Sequence, residues 1–236
     1  MIYGLIIAAG NQKRFKNNTP KALVEINDKP LILNSIDKLK KYCDKVFVVC
    51  SYNNKEYFKF LGKDNTIVIC SGYGSGDAIW RALKQIEYSK EDRVFIQWGD
   101  AIVNENLYQY LLDIEDDKCL IPCIKESNPY VQIVQATNNN VIALFSKYGD
   151  NVSEGYHDMS LFLCNIEKVH KYLSEFVFKY FKNGYKHKHN NEFEFLDVFN
   201  DTNLKAHIIE IPNDLKTLSF NTIEELEEIK KLIVKV

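Results

Sequence analysis

Residues Leu5-Ile6-Ile7-Ala8-Ala9-Gly10 form a continuous apolar run bounded by a glycine, within a strand candidate at 2–8. A run of this kind suits a strand covered on both faces by helices. Similar runs recur at 45–51, 66–70 and 93–98, separated by amphipathic stretches at 30–42, 53–61, 74–87 and 104–114. Strand and helix in alternation predict βαβ units, hence an α/β fold with a Rossmann-like, doubly wound, mostly parallel sheet. Strand candidates at 119–124, 130–135, 140–145 and 159–164 crowd together without long helices, which adds a small antiparallel extension. Helices over 166–182, 191–200 and 222–234 and a strand over 206–211 complete the expected chain. With 236 residues, 46% of them hydrophobic, and no repeat or linker, the sequence reads as a single domain, 1–236.

The segment behind the first run carries the first chemistry. Ala8, Ala9, Gly10 and Asn11 leave the backbone N–H groups open to a ligand, and Arg14 and Lys21 bring two positive charges to the same place. Such a loop suits a polyphosphate. It is neither a GxxxxGK[ST] loop nor a GxGxxG turn, because Gly10 stands alone. A net charge of -2 gives no overall attraction for nucleic acid or acidic lipid, so anion binding has to be local. No stretch reads as a membrane span or a signal peptide, and a cytoplasmic location is expected. The six cysteines, at 43, 50, 70, 119, 123 and 164, show no CxxC pair and read as free thiols in apolar segments.

Three further motifs stand out. Gly74-Ser75-Gly76-Asp77 precedes an amphipathic helix, where small residues and the helix dipole favour a base or phosphate, or simply make a turn. Phe95-Ile96-Gln97-Trp98-Gly99-Asp100 is an apolar strand ending in a carboxylate, which can hold Mg2+ or cap a helix. Late in the chain, Asn221-Thr222-Ile223-Glu224-Glu225 fits a capping box opening the last helix. Glu192 and Asp197, five apart, could bind ligand hydroxyls or solvate a helix, and Lys147 could reach an acceptor phosphate. His157, His170 and His207 read as structural or surface residues.

Ile7-Ala8-Ala9-Gly10, Arg14, Pro20-Lys21-Ala22-Leu23 and Lys29-Pro30-Leu31 resemble, in order and separation, the opening signature of the nucleotidyltransferase (NDP-sugar pyrophosphorylase) family. The relatives in view are the uridylyltransferase domain of N-acetylglucosamine-1-phosphate uridylyltransferases and the MobA-like NTP transferases. Gln12 stands where that signature has its second glycine, Asp28 where it has a third, and Asp77 where the base-binding segment has His. The resemblance implies a GT-A-like fold with a nucleotide-binding part over 1–118, an acceptor-binding part over 119–220 and a closing helix over 221–236. It implies Arg14 and Lys21 as the catalytic cations, with Ala8, Ala9, Gly10, Asn11, Gly74, Ser75, Gly76 and Asp77 on the nucleotide. It places Lys147, Asp158, Glu192 and Asp197 on the acceptor, and Asp100 with Asn221 on Mg2+.

The reaction implied joins a nucleoside monophosphate from UTP or CTP to a sugar phosphate or similar acceptor, with release of pyrophosphate, for surface polysaccharide precursors. The partners are therefore an NTP and a phosphorylated small molecule, without nucleic acid or membrane. A cytidylyltransferase acting on a small alcohol phosphate is one alternative. A nucleotide-binding protein of the same fold without turnover is another.

Overall fold

The computed structural model describes residues 1–10, 19–69, 73–136, 140–182, 192–220 and 222–233. The first four strands of the central sheet are β1 (Ile2–Ile7), β2 (Lys45–Ser51), β3 (Thr66–Ile69) and β4 (Arg93–Trp98). They are followed by β5 (Cys119–Glu126), β6 (Val131–Gln135), β7 (Val141–Phe145), β8 (Gly155–Asp158), β9 (Leu161–Asn165) and β10 (Ala206–Glu210). Among the described residues these ten strands make one sheet in the order β7-β6-β8-β5-β9-β4-β1-β2-β3, with β10 pairing β5. Strand β1 lies between β4 and β2 and is parallel to both, and β2 is parallel to β3. From β9 outward the neighbours run antiparallel, except that β10 is parallel to β5.

The strand period places the core. Leu5, Val49 and Ile96 point to one face and pack with Ile79, Leu83, Leu173 and Phe176 from α2 (Ser75–Leu83) and α4 (Ile166–Lys182), numbered with α1 (Leu31–Leu39) and α3 (Glu105–Leu112). Ile6, Val48 and Phe95, one residue out of phase, pack with Ile32, Ile36, Leu107 and Leu111 from α1 and α3. Adjacent residues of one strand thus feed opposite layers, which is why these strands read as unbroken apolar runs. The expected α/β, doubly wound sheet with its antiparallel extension is present. No described helix is long and apolar enough to cross a membrane.

Three local expectations are corrected, and one strand is added. The helix expected over 191–200 is confined to α5 (Asp197–Asp201), because Phe193, ahead of it, spends its backbone amide and carbonyl on the glycine segment. The Phe193 amide donates to the Tyr73 carbonyl at 2.5 Å, and the Gly76 amide donates to the Phe193 carbonyl at 2.7 Å. Residues 53–61 form a 3-10 rather than an α-helix, Lys55–Leu61. Strand β8, with only four mixed-polarity residues, had no apolar run to announce it. Finally, Cys119 and Cys164 sit on the neighbouring strands β5 and β9 with their sulfurs paired as a disulfide, across a separation of 45 residues that sequence spacing does not reveal. Cys43, Cys50 and Cys123 are free thiols, as expected.

The chain returns to the sheet's switch point at its end. Leu218–Ser219 pairs antiparallel with Ala101–Ile102 just past β4, and α6 (Ile223–Ile233) follows. Phe220, Leu226 and Ile229 pack there with Ile26 and Leu31. The capping box expected for α6 is formed: the Glu225 amide donates to Thr222 Oγ1 at 3.2 Å, and the Thr222 amide donates to Glu225 Oε2 at 3.3 Å.

Candidate active site

Strands β1 and β4 are adjacent and parallel, so the loops at their carboxyl ends meet, where open α/β sheets take ligands. Their approach is close. The Gly99 amide donates to the Ile7 carbonyl at 3.0 Å, and a Cβ on Gly99 would stand 2.9 Å from that same oxygen. Only glycine lets Asp100 leave β4 at this point. The Ala8 amide is spent on the Val49 carbonyl at 2.8 Å, which corrects its expected role as a phosphate donor. The amides of Ala9 and Gly10 take no acceptor among the described residues.

Asp100 faces Lys21. The Lys21 Nζ lies 3.1 Å from Asp100 Oδ2 and donates to the Phe220 carbonyl at 2.8 Å. Lys21 is 6% exposed, held by the short 3-10 turn Lys21–Leu23, whereas the Asp100 side chain is about a third exposed at 34%. Three distant segments therefore converge: the loop after the first strand, the end of β4, and the residue preceding Asn221. Asn11, Gln12, Arg14 and Asn221 themselves lie outside the described residues.

Asp100 opens on a cavity of about 240 Å³ whose walls include Ser75, Trp98, Tyr130, Lys147, Asp158 and Glu194. Trp98 is fixed edge-on against Phe195, with ring centroids 6.1 Å apart. Glu194 is the residue that sequence reasoning missed. Its carboxylate takes hydrogen bonds from Ser75 Oγ at 2.8 Å and Tyr148 OH at 2.9 Å, and is ion-paired with Lys147. Burial pushes this carboxyl up, but Lys147, Ser75 and Tyr148 outweigh burial and hold it below the usual carboxylate range. The signal was present in the alternation Glu192-Phe193-Glu194-Phe195, a strand-like period read as part of a helix.

The acceptor candidates divide. Lys147 and Asp158 line the cavity. Asp158 is 5% exposed, its Oδ1 takes the Ser160 amide at 3.0 Å, and burial raises its carboxyl above the ordinary range despite His157 nearby. His157, expected to be structural, borders the cavity with Nδ1 2.7 Å from Glu126 Oε2. Glu192 is exposed and accepts from Tyr148 OH at 3.1 Å, outside the cavity wall. Asp197 is fully buried in α5, 3.3 Å from Asn200 Nδ2, so neither solvation of a helix nor contact with an acceptor describes it.

On the nucleotide side Ser75 borders the cavity, while Gly74 and Gly76 have a packing role. Gly74 adopts φ 100, and a Cβ there or on Gly76 would meet the Phe193 backbone at 2.7 or 2.9 Å. Asp77 is also corrected. It is wholly buried and turned back on its own helix, accepting from the Tyr73 amide at 3.1 Å and Arg81 Nε at 2.8 Å, so it does not present its carboxylate to a base.

Asp100 carries a hard carboxylate whose Oδ1 takes no hydrogen bond from the described residues. A site of one carboxylate completed by substrate phosphates suits Mg2+, which keeps few protein ligands. Among the described residues no cluster of three or more His, Cys, Asp or Glu could hold a metal by itself.

Comparison with known proteins gives a consistent result. The model of the MobA-like NTP transferase domain matches residues 4–153. The bifunctional enzyme IspD/IspF of Pelagibacter ubique is 32% identical over 58% of the chain and 37% of its own length. The bifunctional protein GlmU of Caldicellulosiruptor saccharolyticus is 30% identical over 59% of the chain and 32% of its own. The chain thus spans about a third of the first curated relatives it matches. A ribitol-5-phosphate cytidylyltransferase of Lacticaseibacillus paracasei is 25% identical over 73% of the chain and 66% of its own. The CTP:phosphocholine cytidylyltransferase structure from Streptococcus pneumoniae superposes with a TM-score of 0.72 at 16% identity, covering 98% of this chain and 99% of that one. At that identity it speaks for the fold alone.

Proposed function

We propose that this chain, which belongs to the MobA-like NTP transferase family, transfers a nucleoside monophosphate from UTP or CTP to a sugar phosphate or similar phosphorylated acceptor and releases pyrophosphate. The observation that carries this reading is the Lys21–Asp100 pair at the carboxyl ends of two adjacent parallel strands, opening on a cavity with a second cation, Lys147. In this reaction an acceptor phosphate oxygen attacks the α-phosphorus, and the bond to the bridging oxygen of the pyrophosphate breaks. The nucleophile is already an anion, so no residue has to remove a proton. Positioning and charge neutralisation carry the barrier.

Lys21, fixed by the Phe220 carbonyl, would meet triphosphate oxygens with a charge held in place before substrate arrives. Arg14 and the amides of Ala9 and Gly10 belong to the same half of the proposed site. Asp100, with Asn221, would hold Mg2+, which when bound bridges phosphate oxygens and neutralises developing charge. Lys147 would take the acceptor phosphate, and Asp158 an acceptor hydroxyl. Residues 1–118 thus serve the triphosphate and 119–220 the acceptor. With a sugar phosphate acceptor the product would be a nucleotide sugar, an activated precursor of the kind that surface polysaccharide synthesis consumes.

A second reading is cytidylyl transfer to a small alcohol phosphate: the ribitol-5-phosphate cytidylyltransferase aligns over 66% of its own length, while a probable UDP-N-acetylglucosamine pyrophosphorylase of Acanthamoeba polyphaga mimivirus, 23% identical, aligns over 96% of its own and supports the first. The experiment that tests both is pyrophosphate release with Mg2+ for the four ribonucleoside triphosphates against a panel of sugar phosphates and alcohol phosphates. Turnover of UTP or CTP with a sugar phosphate supports the first reading. Selective turnover of CTP with ribitol phosphate or a related alcohol phosphate supports the second. A flat response across the panel would leave a nucleotide-binding protein without transferase activity.

A further inference from the structure

We propose that Glu194 is a positioning residue that holds the Lys147 ammonium at the cavity wall for the acceptor phosphate and ties that grip to the nucleotide side through Ser75. The inference rests on the reading of the cavity as an acceptor site. Glu194 joins residues from three places in the sequence: Ser75 at the start of α2, Lys147 and Tyr148 after β7, and its own segment just before α5.

The pair is built into the protein rather than laid on its surface. The side chains of Lys147 and Glu194 are only 19% and 15% exposed. A buried carboxylate that loses its cation is left uncompensated, which is far more costly than breaking a surface pair. Lys147 therefore stays beside Glu194 when a ligand enters. An ammonium has three donors, and the pair with Glu194 uses one of them. The other two have no hydrogen-bond acceptor among the described residues, and Lys147 borders the cavity that Asp100 also lines.

The ammonium is also flanked by rings, with Lys147 Nζ 4.6 Å from the centre of the Tyr148 ring and 5.8 Å from that of Tyr130. A lysine is ordinarily a flexible point charge. Here a carboxylate and two aromatic rings fix it. The same carboxylate accepts from Ser75 Oγ, which in turn accepts from the Phe195 amide at 2.9 Å. Movement of the glycine segment on nucleotide binding would thus be felt at Lys147.

The test is calorimetric titration of the full chain with inorganic phosphate, for wild type, Lys147→Met, Glu194→Gln and the double variant, with thermal melts as a control for folding. The expected result is a loss of phosphate affinity of about tenfold or more in Lys147→Met and about tenfold in Glu194→Gln. The double variant should bind no more weakly than Lys147→Met alone, because the two act as a unit. Triphosphate affinity should stay within about twofold in Lys147→Met, which leaves the Glu194–Ser75 bond in place, a split that general misfolding would not produce. Wild-type phosphate affinity in Glu194→Gln, or additive losses in the double variant, would overturn the proposal. So would a wild-type chain with no phosphate affinity that Lys147→Met removes. If Glu194→Gln does not fold, Tyr148→Phe strips a hydrogen bond from the same carboxylate and should weaken phosphate by a few-fold, with an unchanged affinity counting against the proposal. Absence of pyrophosphate release in the substrate panel, with these phosphate results intact, would sink the transferase reading while leaving the Glu194–Lys147 coupling in place.

Discussion

Lys21 Nζ lies 3.1 Å from Asp100 Oδ2, although the two residues are 79 positions apart in the chain. The contact follows from sheet order. Asp100 is carried past the end of β4 by Gly99, while Lys21 is buried against the returning segment and anchored on the Phe220 carbonyl. A cation and a carboxylate are thereby fixed together at the mouth of the switch point before any ligand arrives.

Replacing Lys21 with methionine keeps the apolar stem and removes the charge. The variant should lose about 10²–10³-fold in turnover of the productive substrate pair, the range found when one preorganised donor is deleted from a transition-state site. Steady-state pyrophosphate release measures this. Loss confined to acceptor KM would contradict a triphosphate role for Lys21.

Gly76→Ala should destabilise the fold rather than merely weaken nucleotide binding. The new Cβ would stand 2.9 Å from the Phe193 carbonyl oxygen and 3.2 Å from that of Glu194, and both are backbone atoms with little room to yield. A cost of about 1–3 kcal/mol is expected, or roughly 2–10 °C in Tm for a chain of this size. Differential scanning calorimetry decides it, and an unchanged Tm would remove the packing account of this glycine.

Asp158 is a buried carboxyl raised above its unfolded range by burial. A group of this kind contributes stability at low pH, where it is neutral, and that contribution is lost as pH rises through the folded-state value. Asp158→Asn should therefore raise Tm at neutral pH, with the gain shrinking to nothing below the ordinary carboxylate range. Asparagine can still accept the Ser160 amide bond. A variant less stable than wild type at neutral pH would show that the carboxylate is compensated when ionised.

Thr222→Ala removes one half of the capping box on α6. A loss of about 1 kcal/mol is expected, read as a lower urea midpoint with the slope unchanged. The same helix packs Leu226 and Ile229 against Phe220, whose carbonyl anchors Lys21. The cap thus supports the site at one remove.

Much of the parallel half was legible because its residues obey one simple rule. In β1, β2 and β4, Leu5 and Ile6, Val48 and Val49, Phe95 and Ile96 feed the two helix layers, so the strands appear as unbroken apolar runs, and two of the three boundaries agree to the residue. The antiparallel half was harder. Strand β8 is Gly-Tyr-His-Asp, and its place in the sheet comes from pairing with Lys125 and Ile133, contacts remote in sequence. The Cys119–Cys164 pair was hidden for the same reason.

The site shows the same division. Lys21, Asp100 and Lys147 announced themselves as charged residues beside strands and loops, but sequence could not tell a carboxylate facing the cavity from one facing the core. Asp77 and Asp197 are buried among their own helices' partners, while Glu194, two residues from the motif position singled out, lines the cavity. The difference is set by the non-helical backbone at 193–194, which the Gly76 amide fixes by bonding the Phe193 carbonyl.

The most direct test of nucleotidyl transfer at this site is pyrophosphate release by Asp100→Ala beside wild type, measured with the productive triphosphate and acceptor under saturating Mg2+. Asp100 is about a third exposed but pairs with the buried Lys21, so thermal melts of the variant accompany the assay to separate lost turnover from lost fold. The account predicts a fall in turnover of at least about 100-fold. Turnover within a few-fold of wild type would contradict it.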